Sequence, residues 1–376
     1  MKLVKILAVA ALLLAGTSQA QNVQLYGVLG AGVVSGEGFG SKNQEFTGMG
    51  EQLHNSNRWG IKGTEDLGNG ITAKFTLESN MSLRTGAAGK DSGGTGAAGT
   101  TLFDREANIS LSSNQLGQLQ LGRGKNFLYN VLDEFDSRGN WNFGGLKPIA
   151  RYAGFYSGSG VSRFDNMVRY SSPEILGFRA DGAYSFGNQL DDTEYKSSYN
   201  VGIRWSKGPL DIAYTYEEAR LSNAVISEKI NLIAAKFAVT DKLTVNAGYA
   251  TTENPTAQKT YYSSSTKADG KTDANTWFAG AKFKLNDQIS FNGAYYDVQD
   301  KVTAGKNDVQ MTAVGAVYSF SKRTEVFIDY VTASRATGAS APFTIYDRWI
   351  PNGDGSTVSD NKYKQSAVAV GMQHRF

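Results

Sequence analysis

Residues 71–78 read Ile71-Thr72-Ala73-Lys74-Phe75-Thr76-Leu77-Glu78, and every second side chain is apolar. Ile71, Ala73, Phe75 and Leu77 share one face, and Thr72, Lys74, Thr76 and Glu78 share the other. A period of two belongs to an extended strand with one greasy and one wet face. The pattern recurs at Tyr199/Val201/Ile203/Trp205, Leu210/Ile212/Tyr214/Tyr216, Leu243/Val245/Ala247/Tyr249 and Trp277/Ala279/Ala281/Phe283/Leu285. Sixteen such segments follow one another: 23–34, 56–66, 71–82, 101–112, 117–125, 162–172, 177–187, 198–206, 209–219, 227–239, 243–253, 274–285, 288–299, 308–320, 324–335 and 364–376.

Their connections alternate in length. Leu67-Gly-Asn-Gly70, Ser206-Lys-Gly-Pro209, Asn286-Asp287 and Ser321-Lys-Arg323 are short and carry turn residues. Long connections fall at about 35–55, 83–100, 126–161, 254–273 and 336–363. All six prolines (148, 173, 209, 255, 342 and 351) lie in connections or at the first residue of a strand, where no ladder hydrogen bond is lost.

Amphipathic strands in this number suit either a soluble sandwich or propeller, or a membrane barrel with lipid outside and water inside. An even count, strands of about 9–13 residues and alternating short and long connections favour the barrel. Aromatic placement agrees. Trp205, Phe283, Phe320 and Phe376 lie on the apolar face beside short turns, and Tyr216, Tyr249, Trp277 and Tyr330 lie there beside long loops. Two such bands match the two membrane interfaces. Facing follows from magnitude: turning 71–78 over would put Lys74 into hydrocarbon at a cost of roughly 2–4 kcal/mol. Arg204, Asp211 and Lys282 would repeat that cost, so the charged face looks into a lumen wide enough for water.

Composition closes off other classes. The 376 residues include 43 glycines, six prolines, two histidines and no cysteine. Disulfides, thiolate metal sites and cysteine nucleophiles are excluded, and no cofactor or metal ligand set stands out. With 38 basic and 35 acidic groups, the chain lacks the electrostatic footprint of a nucleic-acid binder. Residues 1–20 combine Lys2 and Lys5, the apolar run Ile6–Ala15 and Ser18-Gln19-Ala20, the pattern of a secretory signal peptide. The barrel domain is then 21–376. Gly30-Ala-Gly-Val-Val-Ser35 and Gly270-Lys-Thr272 are imperfect nucleotide-loop motifs without the required helical context. His54 and His374 show no catalytic arrangement.

Several segments resemble a known family: Val23-Gln-Leu-Tyr-Gly-Val28, Asn57-Arg-Trp-Gly-Ile-Lys-Gly-Thr-Glu-Asp-Leu-Gly68, Leu119-Gln-Leu-Gly-Arg123, Arg163-Phe-Asp-Asn-Met-Val-Arg-Tyr-Ser-Ser-Pro173 and Met372-Gln-His-Arg-Phe376. They are similar to the trimeric general-diffusion porins of Gram-negative outer membranes. The resemblance implies an all-β, 16-stranded antiparallel transmembrane barrel in the cell outer membrane, with short periplasmic turns, long extracellular loops and a third loop folded inward. It also implies a homotrimer among lipid and lipopolysaccharide, Phe376 as a signal to the outer-membrane assembly machinery, and passive diffusion of ions and small hydrophilic solutes.

The longest connection, 126–161, carries Asp133-Glu134-Phe135-Asp136, so Asp133, Glu134 and Asp136 are expected to face the pore from the third loop. The family pattern places a basic cluster opposite, matched by Arg58, Arg105 and Arg163, with Glu78 as an inward acid. Alternation turns Arg58, Lys74, Glu78, Arg163, Asp165 and Arg169 inward. It sends Arg105 outward with Ala107, Ile109 and Leu111, against the resemblance. Asp136-Ser-Arg-Gly139 departs from the family's loop sequence. The expected device is a transverse field across a narrow section, which orders water and biases ions. A substrate-selective porin that prefers anions such as phosphate or organic acids is the nearest alternative. An outer-membrane enzyme and a soluble β-rich adhesin or lectin are more distant ones.

Overall fold

Alternation becomes pairing between chain neighbours. A computed structural model describes residues 22–39, 44–89, 101–155, 163–187, 190, 195–220, 227–253, 273–301, 307–335, 343–346 and 364–376. The expected leader, 1–20, lies outside them. The described strands are β1 (Asn22–Phe39), β2 (Gln44–Glu51), β3 (Arg58–Gly68), β4 (Ile71–Asn80), β5 (Glu106–Ser113), β6 (Gly117–Lys125), β7 (Arg163–Ser171), β8 (Phe178–Ser185) and β9 (Ser198–Lys207). They continue as β10 (Leu210–Arg220), β11 (Ser227–Ala238), β12 (Leu243–Glu253), β13 (Ala274–Lys284), β14 (Ile289–Asp300), β15 (Val309–Ser319), β16 (Thr324–Arg335) and β17 (Lys364–Arg375). From β3 to β17 each strand pairs antiparallel with the next, and β1 pairs with β17, which closes the barrel.

The seventeen described strands occupy sixteen positions around the wall. Val28–Asn22 of β1 pair with Arg58–Thr64 of β3, while Ala31–Phe39 pair with Glu51–Gln44 of β2. Thus β2 and β3 lie end to end along β1, and residues 52–57 leave the sheet between them. Much of the stretch expected as a first loop at 35–55 is therefore strand. Gln52 leaves with φ +60°. Its N–H donates to the Gly30 carbonyl (2.9 Å), and the Asn57 side-chain oxygen accepts from the Gly30 N–H (2.6 Å). Those two bonds satisfy the peptide that the break would otherwise orphan.

Short turns gather at one end. Asn69 (φ +52°) and Gly70 (φ +74°) occupy the left-handed region that a tight hairpin requires and that Asn and Gly tolerate best. Three later turns share another solution. Thr240, Asn286 and Ser321 each accept two backbone N–H bonds, from the residues two and three positions ahead. The terminal residue Phe376 exchanges backbone bonds of 3.1 Å in both directions with Gly27 at this same end.

The outer face is apolar. Leu25, Ile109, Ile203, Ile233, Ile328 and Val370 are all exposed there, and Trp277, Phe283, Phe320, Phe376 and Tyr330 keep the two aromatic bands. Tyr249 and Trp277 pair across β12 and β13, with ring centroids 4.2 Å apart.

The inside is not uniformly wet. The third loop holds two helices, α1 (Phe127–Phe135) and α2 (Leu146–Tyr152), where the sequence suggested only a connection. Asn126 caps α1, its side-chain oxygen accepting from the Tyr129 N–H at 2.8 Å. Phe127, Leu128, Val131, Leu132 and Phe135 then fall on one helical face, at a spacing near 3.6. That face packs on Ala213, Leu232, Ala234 and Ala250 of the wall, and burying Leu132 completely contributes about 1.5–3 kcal/mol. Gly202 makes the close approach possible, because a Cβ there would sit 2.2 Å from the Phe127 ring.

Candidate pore constriction

Opposite α1 the wall of β3, β4, β5 and β6 stays polar. Glu78 projects inward from β4 and collects partners. Arg105 Nε donates to it at 2.5 Å, Arg58 Nε lies 3.4 Å away, and the Tyr26 hydroxyl donates at 3.0 Å. Arg105 also donates to the Asn80 side-chain oxygen (3.0 Å). Arg163 Nε approaches Glu106 at 3.7 Å, and its guanidinium lies 5.6 Å from the Tyr129 ring centre on α1. Arg58, Arg105, Arg163 and Glu78 are thus brought together on one side of the lumen.

The outward direction that alternation gave Arg105 is wrong. β5 begins at Glu106, not at 101, so Arg105 precedes the strand and is not bound by its parity. Its N–H bonds the Glu78 carbonyl (3.1 Å) and its side chain turns inward. Asp165 departs from parity too. Asn166 has φ +49°, the pairing of β6 with β7 is irregular there, and Asp165 pairs with Arg123 instead of joining the cluster.

Arg58, Lys74, Glu78, Arg105, Glu106 and Lys125 line one lumenal cavity of about 330 Å³. Lys74 is exposed into it, below the arginines. Arg169 is inward but occupied. It grips Asp181 through Nε (2.9 Å) and Nη2 (2.7 Å), and its Nη1 donates to the Lys125 carbonyl at 2.9 Å, which fixes the start of the third loop.

The loop acids part company: they do not all face the arginine section. Asp133 does reach this side of α1, paired with Lys125 at 2.8 Å and accepting from Asn140 at 2.9 Å. Glu134, one residue on, turns away from the arginines and pairs with Arg204 at 2.5 Å. Asp136 is buried. It accepts from the N–H groups of Arg138 (3.2 Å), Asn140 (2.9 Å) and Leu146 (2.9 Å) and from the Tyr296 hydroxyl (2.9 Å). Burial pushes its carboxyl above the usual carboxylate range. Asp136 folds the loop, with its carboxylate taken up by the loop's own donors and Tyr296.

Sequence reasoning missed the fastening of the loop tip. Arg138 is fully buried, donating to Asp329 (2.8 Å) and to Asn292, with its guanidinium 4.8 Å from the Trp141 ring centre. Asp329 also bonds His54 Nε2 at 2.8 Å. The imidazole lies between Trp141 and Phe327, with centroids 3.4 and 3.6 Å away. His54 comes from the 52–57 break, so that break carries a side chain into the lumen to meet the third loop. The one available signal was Asp329 itself, a carboxylate at inward parity between Phe327 and Val331.

Comparison with known proteins agrees with this architecture. A family model described as Gram-negative porin matches residues 7–337. An outer membrane porin protein of Bordetella pertussis is 28% identical, covering 99% of this chain and 100% of its own. Among solved structures, an anion-selective porin from Comamonas acidovorans superposes with a TM-score of 0.75 at 19% identity, covering 95% of this chain and 100% of its own. The trimer form of OmpT, an outer membrane protein of Vibrio cholerae, gives 0.62 at 13% identity, covering 95% and 100%.

Proposed function

The chain belongs to the Gram-negative porin family, an outer-membrane channel protein and not an enzyme, and from that premise we propose that it passes small hydrophilic solutes with a preference for anions. The observation that carries the preference is the count at the narrow section. Arg58, Arg105 and Arg163 stand there against two carboxylates, Glu78 and Glu106. Lys74 adds a further positive charge, and Lys125 is balanced by Asp133. Of the three loop acids expected to oppose them only Asp133 does, since Asp136 is buried and Glu134 is turned toward Arg204. Low-dielectric walls strengthen such an imbalance, so a passing anion is drawn in and a cation repelled. Flow is passive, down the gradient, and solutes that cannot hydrogen-bond to oriented water are disfavoured.

The same reading extends to partners. A homotrimer is supported by the trimer form of the Vibrio cholerae neighbour. Lipopolysaccharide in contact with the loop-side aromatic band, cleavage of residues 1–20 during export, and recognition of Phe376 by the outer-membrane assembly machinery complete the proposal.

Zero-current potentials across a planar bilayer in a potassium chloride gradient test it. The protein is expected to show the sign of chloride preference, and Arg58→Gln combined with Arg163→Gln is expected to move the potential toward potassium. A potential that the double substitution leaves unchanged would remove the arginines from the selecting section.

A further inference from the structure

On the short-turn side of the third loop lies a second cavity, of about 820 Å³, separate from the arginine section. Its roof is the loop tip from Asp133 to Trp141, and its walls are the turn-side ends of β9 to β17. Six cationic side chains line it, and four of them are matched, Arg138 by the buried Asp329. Arg204 pairs with Glu134 and Asp211, Lys236 lies 3.4 Å from Asp211, and Arg375 lies 3.3 Å from Glu325. Of the remaining acids in the lining, Asp133 is held by Lys125 and Asp136 by the loop's own donors. Lys282 and Lys284, on neighbouring inward and turn-end positions of β13, form no side-chain hydrogen bond or ion pair with any described residue.

A second observation points the same way. Asn246 is more than nine-tenths buried on the cavity wall, yet neither its Nδ2 nor its Oδ1 has a hydrogen-bond partner among the described residues. Burying an amide without partners costs free energy that a bound acceptor would offset. Asn246 stands in register with Lys236, and its neighbour Thr244 stands in register with Lys282, so the orphan amide sits within the basic patch.

We propose that this cavity is a second anion site, facing the turn side, which holds a small oxyanion of two or more negative charges. Lys282 and Lys284 supply the charge, and the Asn246 amide donates to one anion oxygen. The site rests on the channel reading but not on the selectivity of the arginine section. Its consequence is sidedness: a multivalent oxyanion added at the turn side meets the site directly, whereas one added at the loop side must first pass the constriction.

The test is single-channel recording from the full-length protein inserted in one orientation, with tribasic citrate or inorganic phosphate added to one chamber at a time over a potassium chloride background. Turn-side citrate is expected to interrupt the chloride current saturably, at a concentration about tenfold or more below that needed on the loop side. Lys282→Gln and Asn246→Ala are each expected to weaken the turn-side block about tenfold, because the first removes a positive charge and the second a donor to a charged ligand. Lys282→Arg is expected to restore it. Block by citrate alone marks a polycarboxylate site, and block by both probes marks a general oxyanion site. Equal block from the two sides, or turn-side block indifferent to both substitutions, overturns the proposal while the pore remains. A protein that opens no conducting pore overturns this proposal and the channel reading together.

Discussion

Two stretches of the same barrel face the same lumen with opposite chemistry. From β3 to β6 the inward positions are Arg58, Lys74, Glu78, Glu106, Ser110 and Gln120, which line an open cavity. From β10 to β17 they include Ala213, Leu232, Ala234, Ala313, Val331 and Ala369, all buried beneath the third loop. The open side obeys the rule that a porin-like wall is polar within. The filled side obeys the rule of a soluble core, because α1 and α2 exclude water there and bring their own apolar faces. A carboxylate means different things on the two sides. Glu78 on the open side is a charge presented to solutes, whereas Asp329 on the filled side is a fastening between Arg138 and His54.

The largest expected effect therefore comes from the filled side. Asp329→Ala strands a buried guanidinium and removes the imidazole's partner, a loss of about 3–5 kcal/mol. The temperature at which the folded band disappears from a detergent gel should fall sharply, and conductance should become noisy as the loop tip loosens. An unchanged melting temperature would mean that the cluster does not hold the loop.

Leu132→Ala, in the apolar face of α1, should cost about 2–5 kcal/mol through lost burial and a residual cavity. Urea titration of protein in lipid vesicles reads that loss directly. If it proves negligible, the contact between α1 and the wall is not a packed core.

Lysine placement sharpens the contrast between wet and greasy surfaces. Val245 points outward on β12, two residues inside the level of Phe283 in the turn-side band, so Val245→Lys should cost about 1–3 kcal/mol, between the interface and midplane values. Yield of folded barrel in vesicles is the readout, and normal yield would place residue 245 in water. The smallest effect belongs to the open side: Lys74→Gln should stay within about 0.5 kcal/mol in stability. A larger loss in the same urea titration would show that Lys74 has a structural partner and is not merely solvated.

These contrasts also explain what could be read in the sequence. Where water reaches the wall, alternation gives the facing, as at Ile71–Glu78. Beneath the third loop it misleads. On β15, Val309, Met311 and Ala313 are buried inside while Gln310 and Thr312 are outward and exposed, so polarity alone would turn the strand over. Strand ends fail for a different reason. Arg105 lies one residue before β5, and a parity argument carried across that boundary gives the wrong face. The acids of the third loop were legible as a cluster but not as individuals, since the fate of Asp136 depends on Tyr296, 160 residues away. The partner of His54 is more remote still, at a separation of 275. Composition and period are local quantities, and these contacts are set by closure of the whole cylinder.

The interruption between β2 and β3 bears on how such a channel could ever shut. The Leu53 carbonyl accepts from the Phe143 N–H at 2.9 Å, the His54 carbonyl from the Asn142 N–H at 3.3 Å, and the Gln52 carbonyl from the Asn142 side-chain amide. The inward loop is thereby stitched, main chain to main chain, into the very place where the staves are discontinuous. It is a door built into its frame: swinging it would tear the hoop open and strand several peptide groups. Closure of this conduit must then come from an occupant lodged in the passage or from side chains changing rotamer, while the aperture's backbone stands still.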